Sequence, residues 1–314
     1  VVVPCYNEAA GIRDFHQQTA AVLSQLGGPY DFVFVDDGSR DDTLAILNAL
    51  ANQYPNINVL SFSRNFGHQI ALTAGLDHAG GEVVITMDAD LQHPPASIPD
   101  LVAAYRAGAD IVYGVRENDD NRSWIKSALA RNFYRFLSRS TRVQVLEGAV
   151  DFRLMSAQCL AVLHTMREKH RYLRGMVPWL GFESSIVHYR QAERFAGQSS
   201  YSWRQLARLA RHGLFSFSTV PLDVITLLGL VLNGLACLYL IYILLAGVFS
   251  NQLQQVPGWT SVIIVLLVTS GIQLISLGVM SQYLGMIFEE VKGRPLYILK
   301  QKRLSPPPSP EDKA

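Results

Sequence analysis

Asp88, Asp90 and Gln92 place two carboxylates and an amide carbonyl within one short stretch, directly after the apolar run Val83 to Met87. These are hard oxygen donors, which suit Mg²⁺ or Mn²⁺ and suit Zn²⁺ poorly. A divalent ion held there could neutralise a diphosphate as it leaves. The apolar run reads as a buried strand, and Pro94-Pro95 closes the stretch. If the backbone stays extended, the three side chains share one face. A bare Asp-x-Asp is ordinarily an acidic turn after a strand, so the flanking elements decide between the two readings.

Those elements alternate. Val1-Val2-Val3 reads as a strand, then a helix from about Ala9 to Leu26, then Phe32 to Val35 as a second strand. A helix opening at Asp41-Asp42-Thr43 carries acidic residues where the helix dipole favours them. Val59 to Phe62 is a third strand, and His68 to His78 a helix leading into Val83. Such alternation implies right-handed crossovers and a parallel sheet with helices on both faces. Ligands bind such sheets off the carboxyl ends of the strands. Glu8, Asp36, Arg64 and Asp88 all fall near strand ends and are expected along one rim. No G-x-G-x-x-G follows a strand and no P-loop occurs, so phosphates would be held by a metal and by side chains.

Farther on, Ile111 to Arg116 reads as a strand, Ser123 to Ser138 as a helix with Lys126 on its apolar side, and Ile186 to Tyr189 as a strand. A formal net charge of +1 gives no bulk field for nucleic acid. Cys5, Cys159 and Cys237 are far apart, which argues against a disulfide framework or a zinc site. No signal peptide is expected from the opening residues. Composition shifts sharply after residue 220. Val224 to Phe249 and Trp259 to Phe288 contain no charged residue, and each exceeds the ~20 residues that cross a bilayer. A two-helix hairpin is expected, preceded by a basic amphipathic helix, Trp203 to Phe217, suited to a headgroup surface. Lys292, Arg294, Lys300, Lys302 and Arg303 follow the second span, while its connecting loop has no Lys or Arg. Both chain ends, and the catalytic domain with them, should therefore be cytoplasmic. Gly271, Gly278 and Gly285 form a small-residue stripe that fits either the hairpin contact or a second copy in a homo-oligomer.

Pro4-x-Tyr6-Asn7-Glu8, Val35-Asp36-Asp37-Gly38-Ser39, Arg64-Asn65-Phe66-Gly67, Asp88-Ala89-Asp90-Leu91-Gln92 and Asp151-Phe152-Arg153-Leu154 occur in this order. Together they resemble the family 2 glycosyltransferases that make polyprenyl-phosphate sugars. The likeness includes the dolichyl-phosphate mannose synthases and, more closely, the bactoprenol (undecaprenyl-phosphate) glucosyltransferases with a C-terminal two-span hairpin. The resemblance implies an α/β GT-A fold with a doubly wound, mostly parallel sheet. It implies inverting transfer of a sugar from a nucleotide sugar to a polyprenyl (undecaprenyl or dolichyl) phosphate at a bilayer, the bacterial inner membrane by likeness. UDP-glucose is the first-choice donor; GDP-mannose, UDP-GlcNAc and a modified arabinose remain open. A processive polysaccharide synthase is the second enzyme reading, but it usually carries a Q-x-x-R-W segment, and none occurs here.

By that resemblance Pro4, Tyr6, Glu8, Asp36, Asp37, Arg64, Asp88 and Ala89 contact the nucleotide sugar. Asp88, Asp90 and Gln92 hold Mg²⁺ or Mn²⁺. Arg116, Lys126, Arg131 and Arg194 meet the acceptor phosphate, and Asp151 and Asp90 are catalytic. A phosphate acceptor with a second pKa near ~6 is largely dianionic at neutral pH, so Asp151 is expected to position the acceptor or its arginines, and only secondarily to act as a base. His93 stands where family members often have Asp, and Ser200 where a basic residue is common. The expected organisation is a catalytic domain over 1–200, an interfacial segment over 201–222, spans over 224–249 and 259–286, and a cytoplasmic tail over 289–314, disordered from about 305.

Overall fold

The computed structural model describes residues 1–117, 149–169, 171–190, 220–249 and 258–304. Strands β1 (Val2–Cys5), β2 (Phe32–Asp36) and β3 (Ile57–Phe62) are buried along their whole length. Continuous apolar runs of this kind are covered on both faces. Helices α1 (Ile12–Gln25), α2 (Thr43–Gln53) and α3 (His68–His78) follow them in turn, and β4 (Val83–Thr86) comes next. β1 pairs in parallel with β2 and β4, and β2 pairs in parallel with β3. The first half of the sheet is therefore the parallel arrangement expected from the alternation. Helix α3 lies tight on it: a Cβ built on Gly75 would come within 2.3 Å of Val2 Cγ1 and 3.1 Å of Val35 Cγ2.

The second half departs from a purely parallel sheet. After a 3₁₀ turn (Pro95–Ser97) come α4 (Ile98–Arg106), β5 (Ile111–Arg116), β6 (Ala149–Ser156), α5 (Ala157–Thr165), α6 (Leu173–Trp179) and β7 (Ser184–Tyr189). β6 inserts between β4 and β5 and runs antiparallel to both, while β5 and β7 are parallel. Pairing partners so distant in sequence leave no trace in local periodicity.

A last strand, β8 (Leu299–Arg303), adds antiparallel to the outer edge of β3 and completes an eight-stranded sheet. It lies in what the sequence suggests is tail. Three of its five residues are cations, so no apolar run marks it. Charged side chains on an edge strand discourage further pairing. Gln301 Nε2 donates to Asn48 Oδ1 at 2.7 Å, and Arg303 donates to Asn52 Oδ1 at 2.7 Å and Ala51 O at 2.8 Å, tying β8 to α2.

The chain divides into two compact units, and residues 294–304 belong with the sheet. The other unit contains α7 (Val220–Phe249) and α8 (Trp259–Val291), helices of 30 and 33 residues that touch each other. Among the described residues one stretch, Val268–Val291, is long and apolar enough to cross a membrane, and Leu222–Leu235 is a shorter apolar run. The helices expected over 123–138 and 203–217, and the tail from 305, lie outside the described residues.

Candidate active site

Four adjacent parallel strands, in the order β4-β1-β2-β3, point their carboxyl ends at one rim. Glu8 lies three residues past β1, Asp36 ends β2, Arg64 lies two past β3 and Asp88 two past β4. β6 reaches the same rim from the other direction. Its register pairs Val83 with Ser156 and Thr86 with Arg153, so two further residues in that register bring Asp151 level with Asp88. The start of an antiparallel strand thus meets the end of a parallel one.

Asp151 is the hub of the rim. Only 1% exposed, its carboxylate meets four side chains from three elements. Oδ1 accepts from Arg153 Nη2 at 2.7 Å. Oδ2 accepts from Arg174 at 3.2 Å (Nε) and 2.9 Å (Nη2), and from Gln69 Nε2 at 3.2 Å. His68 Nε2 is 3.3 Å from the same oxygen and 3.5 Å from Asp88 Oδ1, bridging the hub to the Asp88 turn. Gln69 also accepts from Leu173 N at 3.0 Å through Oε1, fixing the start of α6, and Arg153 donates to Leu173 O at 3.2 Å. Burial alone would raise the Asp151 pKa. The His68 hydrogen bond and the Arg153 and Arg174 charges outweigh it and hold the carboxyl well below the usual carboxylate range. Burial likewise works against a charged His68, but its bond to Asp151 and the nearby Asp88 and Asp151 charges lift its pKa above the ordinary histidine value.

The backbone of the Asp88 stretch does not stay extended. β4 ends at Thr86, the chain turns at Ala89-Asp90, and Leu91 takes a left-handed φ of 59°. The shared face of an extended Asp88, Asp90 and Gln92 is therefore corrected to a turn. Asp90 Oδ1 accepts from Gln92 N at 3.1 Å and sets its shape. His93 props it from beneath: Nδ1 accepts from Asp88 N at 3.0 Å, and the ring stacks on Phe152 at 5.1 Å. Burial lowers the His93 pKa, in keeping with a neutral ring that accepts at Nδ1. Asp88 Oδ1 is buried and, among the described residues, accepts no hydrogen bond, with His68 Nε2 facing it at 3.5 Å.

The loops after β1, β2 and β3 brace one another. Asn7 N donates to Ser39 Oγ at 3.0 Å, Glu8 N to Thr43 Oγ1 at 2.8 Å, and Arg40 N to Asn7 Oδ1 at 2.9 Å. Asp36 and Asp37 are 1% and 3% exposed. Asp36 accepts from Ser39 N at 3.1 Å and Ser61 Oγ at 2.8 Å. Asp37 accepts from Phe66 N at 2.6 Å and Gly67 N at 2.9 Å. Both carboxylates hold loops in place. Pro4 and Ala89 are buried too, which leaves Tyr6, Glu8, Arg64 and Asp88 as the reachable members of the expected nucleotide group. Arg64 is exposed, with its guanidinium 4.0 Å over the Phe66 ring.

Arg116 ends β5, whose carboxyl end lies at this rim, and is half-buried there. Lys126, Arg131 and Arg194 lie outside the described residues. Four site residues escape the sequence reading: His68, Gln69, Arg153 and Arg174. Arg153 had a usable signal, since i and i+2 on a strand share a face with Asp151. The other three had none, because α3 and α6 reach Asp151 only through the fold.

Residues 1–161 match the model of the family described as Glycosyl transferase family 2. The chain belongs to glycosyl transferase family 2. This family 2 chain is 38% identical over 310 residues to the SfII prophage-derived bactoprenol glucosyl transferase of Shigella flexneri, covering 98% of this chain and 99% of that one. It is 37% identical over 302 residues to the prophage bactoprenol glucosyl transferase homolog of Escherichia coli (strain K12), covering 96% and 98%. An uncharacterized glycosyltransferase of Bacillus subtilis (strain 168) is 37% identical over 301 residues, covering 96% and 93%. Among solved structures, the glucosyl-3-phosphoglycerate synthase of Mycobacterium tuberculosis, in complex with Mn²⁺, UDP and phosphoglyceric acid, is similar with a TM-score of 0.47 and 20% identity, covering 67% of this chain and 73% of that one. The family 2 chain is a glycosyltransferase with an α/β sheet.

Proposed function

We propose that this family 2 transferase moves glucose from UDP-glucose to a polyprenyl phosphate at the cytoplasmic face of a membrane, with inversion at the anomeric carbon. The observation that carries the reading is the Asp151 hub beside the Asp88 turn. A buried carboxylate with four side-chain partners orients Arg174, whose side chain is 31% exposed, at the rim where both anionic substrates would meet. Full-length relatives named bactoprenol glucosyl transferase support the choice of sugar and lipid.

Asp88, Asp90 and Gln92 would hold the Mg²⁺ or Mn²⁺. The donors fit such an ion: all are hard oxygens, and Asp88 Oδ1 is a buried acceptor that no hydrogen bond from the described residues satisfies. Among the described residues no three His, Cys, Asp or Glu side chains form a metal cage. Mg²⁺ is commonly bound by one or two carboxylates with water and substrate phosphate. When bound, the ion neutralises diphosphate charge.

The remaining work falls to the chain's own groups. Tyr6, Glu8 and Arg64 line the nucleotide side of the rim, with Asp36 and Asp37 bracing the loops that carry them. Arg174 and Arg116, joined by Lys126, Arg131 and Arg194, receive the acceptor phosphate. A phosphate oxygen of the acceptor forms the new bond to the anomeric carbon. The bond from that carbon to the UDP oxygen breaks, and UDP leaves with the electron pair. The acceptor is already anionic, so no proton needs removing, and the low proton affinity of Asp151 is no handicap. α7 and α8 anchor the chain as an integral membrane protein.

The test is to incubate membranes containing the protein with radiolabelled UDP-glucose and undecaprenyl phosphate and to extract the lipid. Label should enter the organic phase, and Asp90→Ala should abolish it even in excess Mg²⁺. Labelling from GDP-mannose or UDP-GlcNAc in place of UDP-glucose would overturn the sugar, and no labelling from any donor would overturn the function.

A further inference from the structure

The segment after α8 returns to the sheet and touches the far end of the helix that serves the Asp151 hub. Tyr297 lies six residues past the end of α8 at Val291. Its hydroxyl donates to Asp77 Oδ2 at 3.0 Å, and its ring stacks on Phe62 at 5.3 Å with 20° between the planes. Asp77 Oδ1 takes Arg167 Nη1 at 2.8 Å. Next to Tyr297 in sequence, Ile298 O accepts from Ser63 N at 3.0 Å, and β8 follows. The post-α8 segment is thus fastened by a polar contact, a ring stack and a strand.

Asp77 and the hub contacts sit on the same helix. Gln69 and His68 open α3, and Asp77 and His78 close it. The rise between Gln69 and Asp77 is about 12 Å at 1.5 Å per residue. Between them Ala71 to Leu76 are buried, and Gly75 lets the helix seat directly on Val2 and Val35, so a shift at one end of α3 is resisted along its length. Gly67, at a φ of 100°, joins α3 to the loop that Asp37 grips. Arg167 gives a second route, since it precedes the segment leading to α6, whose Arg174 grips Asp151.

We infer that Tyr297 is a positioning residue for transfer: by holding Asp77 it sets α3, and through α3 the placement of His68 and Gln69 on Asp151. The segment that follows the apolar helix therefore takes part in assembling the rim. This deepens the transferase reading and rests on it.

The experiment uses the full-length protein in lipid nanodiscs, with Tyr297→Phe and, separately, Asp77→Asn. Tyr297→Phe keeps the ring on Phe62 and deletes the hydroxyl. Two readouts are taken: amide hydrogen exchange by peptide, and kcat and KM for UDP-glucose. Exchange should rise in both variants over Phe66–Leu72, at the opposite end of α3 from the substitution, and stay unchanged over β5. The kcat should fall by roughly 3- to 30-fold with the donor KM within about twofold, the range seen for residues that act through a packed network. Faster exchange confined to Ala74–Ala79 with wild-type kcat would overturn the inference. So would general loss of protection in both variants, which would mark Tyr297 as a stability residue only. If the wild-type protein transfers no sugar, the transferase reading fails, while the exchange data still decide whether Tyr297 reaches the hub.

Discussion

Asp151 sits where a base would be sought, yet its environment gives it a different task. A base must hold a proton near working pH. Asp151 is instead surrounded by two guanidiniums, an imidazole and an amide, all within 3.3 Å. Asp151→Asn would remove the carboxylate charge that Arg153, 3% exposed, pairs with at 2.7 Å. Breaking a buried pair from one side costs about 3–5 kcal/mol. The variant should therefore melt earlier as well as lose turnover, and thermal denaturation read beside kcat checks this; lost turnover with an unchanged melt would point to a chemical role instead. His68 supplies a pH dependence. Its folded pKa lies above the ordinary value of 6.5, so its pairing stabilises the protein below that value and is lost as pH rises through the folded pKa. His68→Gln should accordingly lower the thermal midpoint more at about pH 5.5 than at about pH 8.5. Equal shifts at the two values would show that the ring is not paired in its charged form.

Between elements, two glycines carry opposite lessons. Gly38 belongs to Asp36-Asp37-Gly38-Ser39, readable in the sequence as a turn, and it has a φ of 67°. What the sequence does not show is the neighbour: a Cβ there would come within 2.6 Å of Arg64 C and 2.8 Å of Asn65 N. Gly38→Ala must push two backbones apart, loosening the loop that Asp37 holds at Phe66 and Gly67. Gly75 looks like a weak spot in α3 until β1 is seen beneath it. Its added Cβ would meet only valine side chains, for which overpacking costs about 1–3 kcal/mol. Gly38→Ala is expected to destabilise more than Gly75→Ala and to cost nucleotide binding as well. Chemical denaturation and UDP titration of both variants would show it; the reverse order would mean that the loops can separate freely.

At the scale of the whole molecule, the catalytic sheet is not contiguous in sequence. β8 covers the outer edge of β3 and is reached only after α7 and α8. An uncovered edge strand recruits other chains. A fragment of residues 1–203 should therefore associate or precipitate, and one joined by a short linker to 294–304 should be more soluble. Size-exclusion chromatography compares the two, and equal behaviour would show that β8 adds nothing to the sheet. The same return carries Tyr297 to Asp77, so the segment after α8 and the hub belong to one compact unit.

Apolar runs, turn residues and alternation were enough to place the first four strands, α3 and the rim on which Glu8, Arg64 and Asp88 stand, because parallel strands deliver their ends to one side whatever their order. The two long apolar helices were legible for the same local reason. Only the tertiary structure decided that β6 runs backwards into the sheet, that β8 closes it, and that His68, Gln69 and Arg174 converge on Asp151. Each of these depends on pairing or packing between residues far apart in the chain, where the stabilising partner is absent from the local sequence.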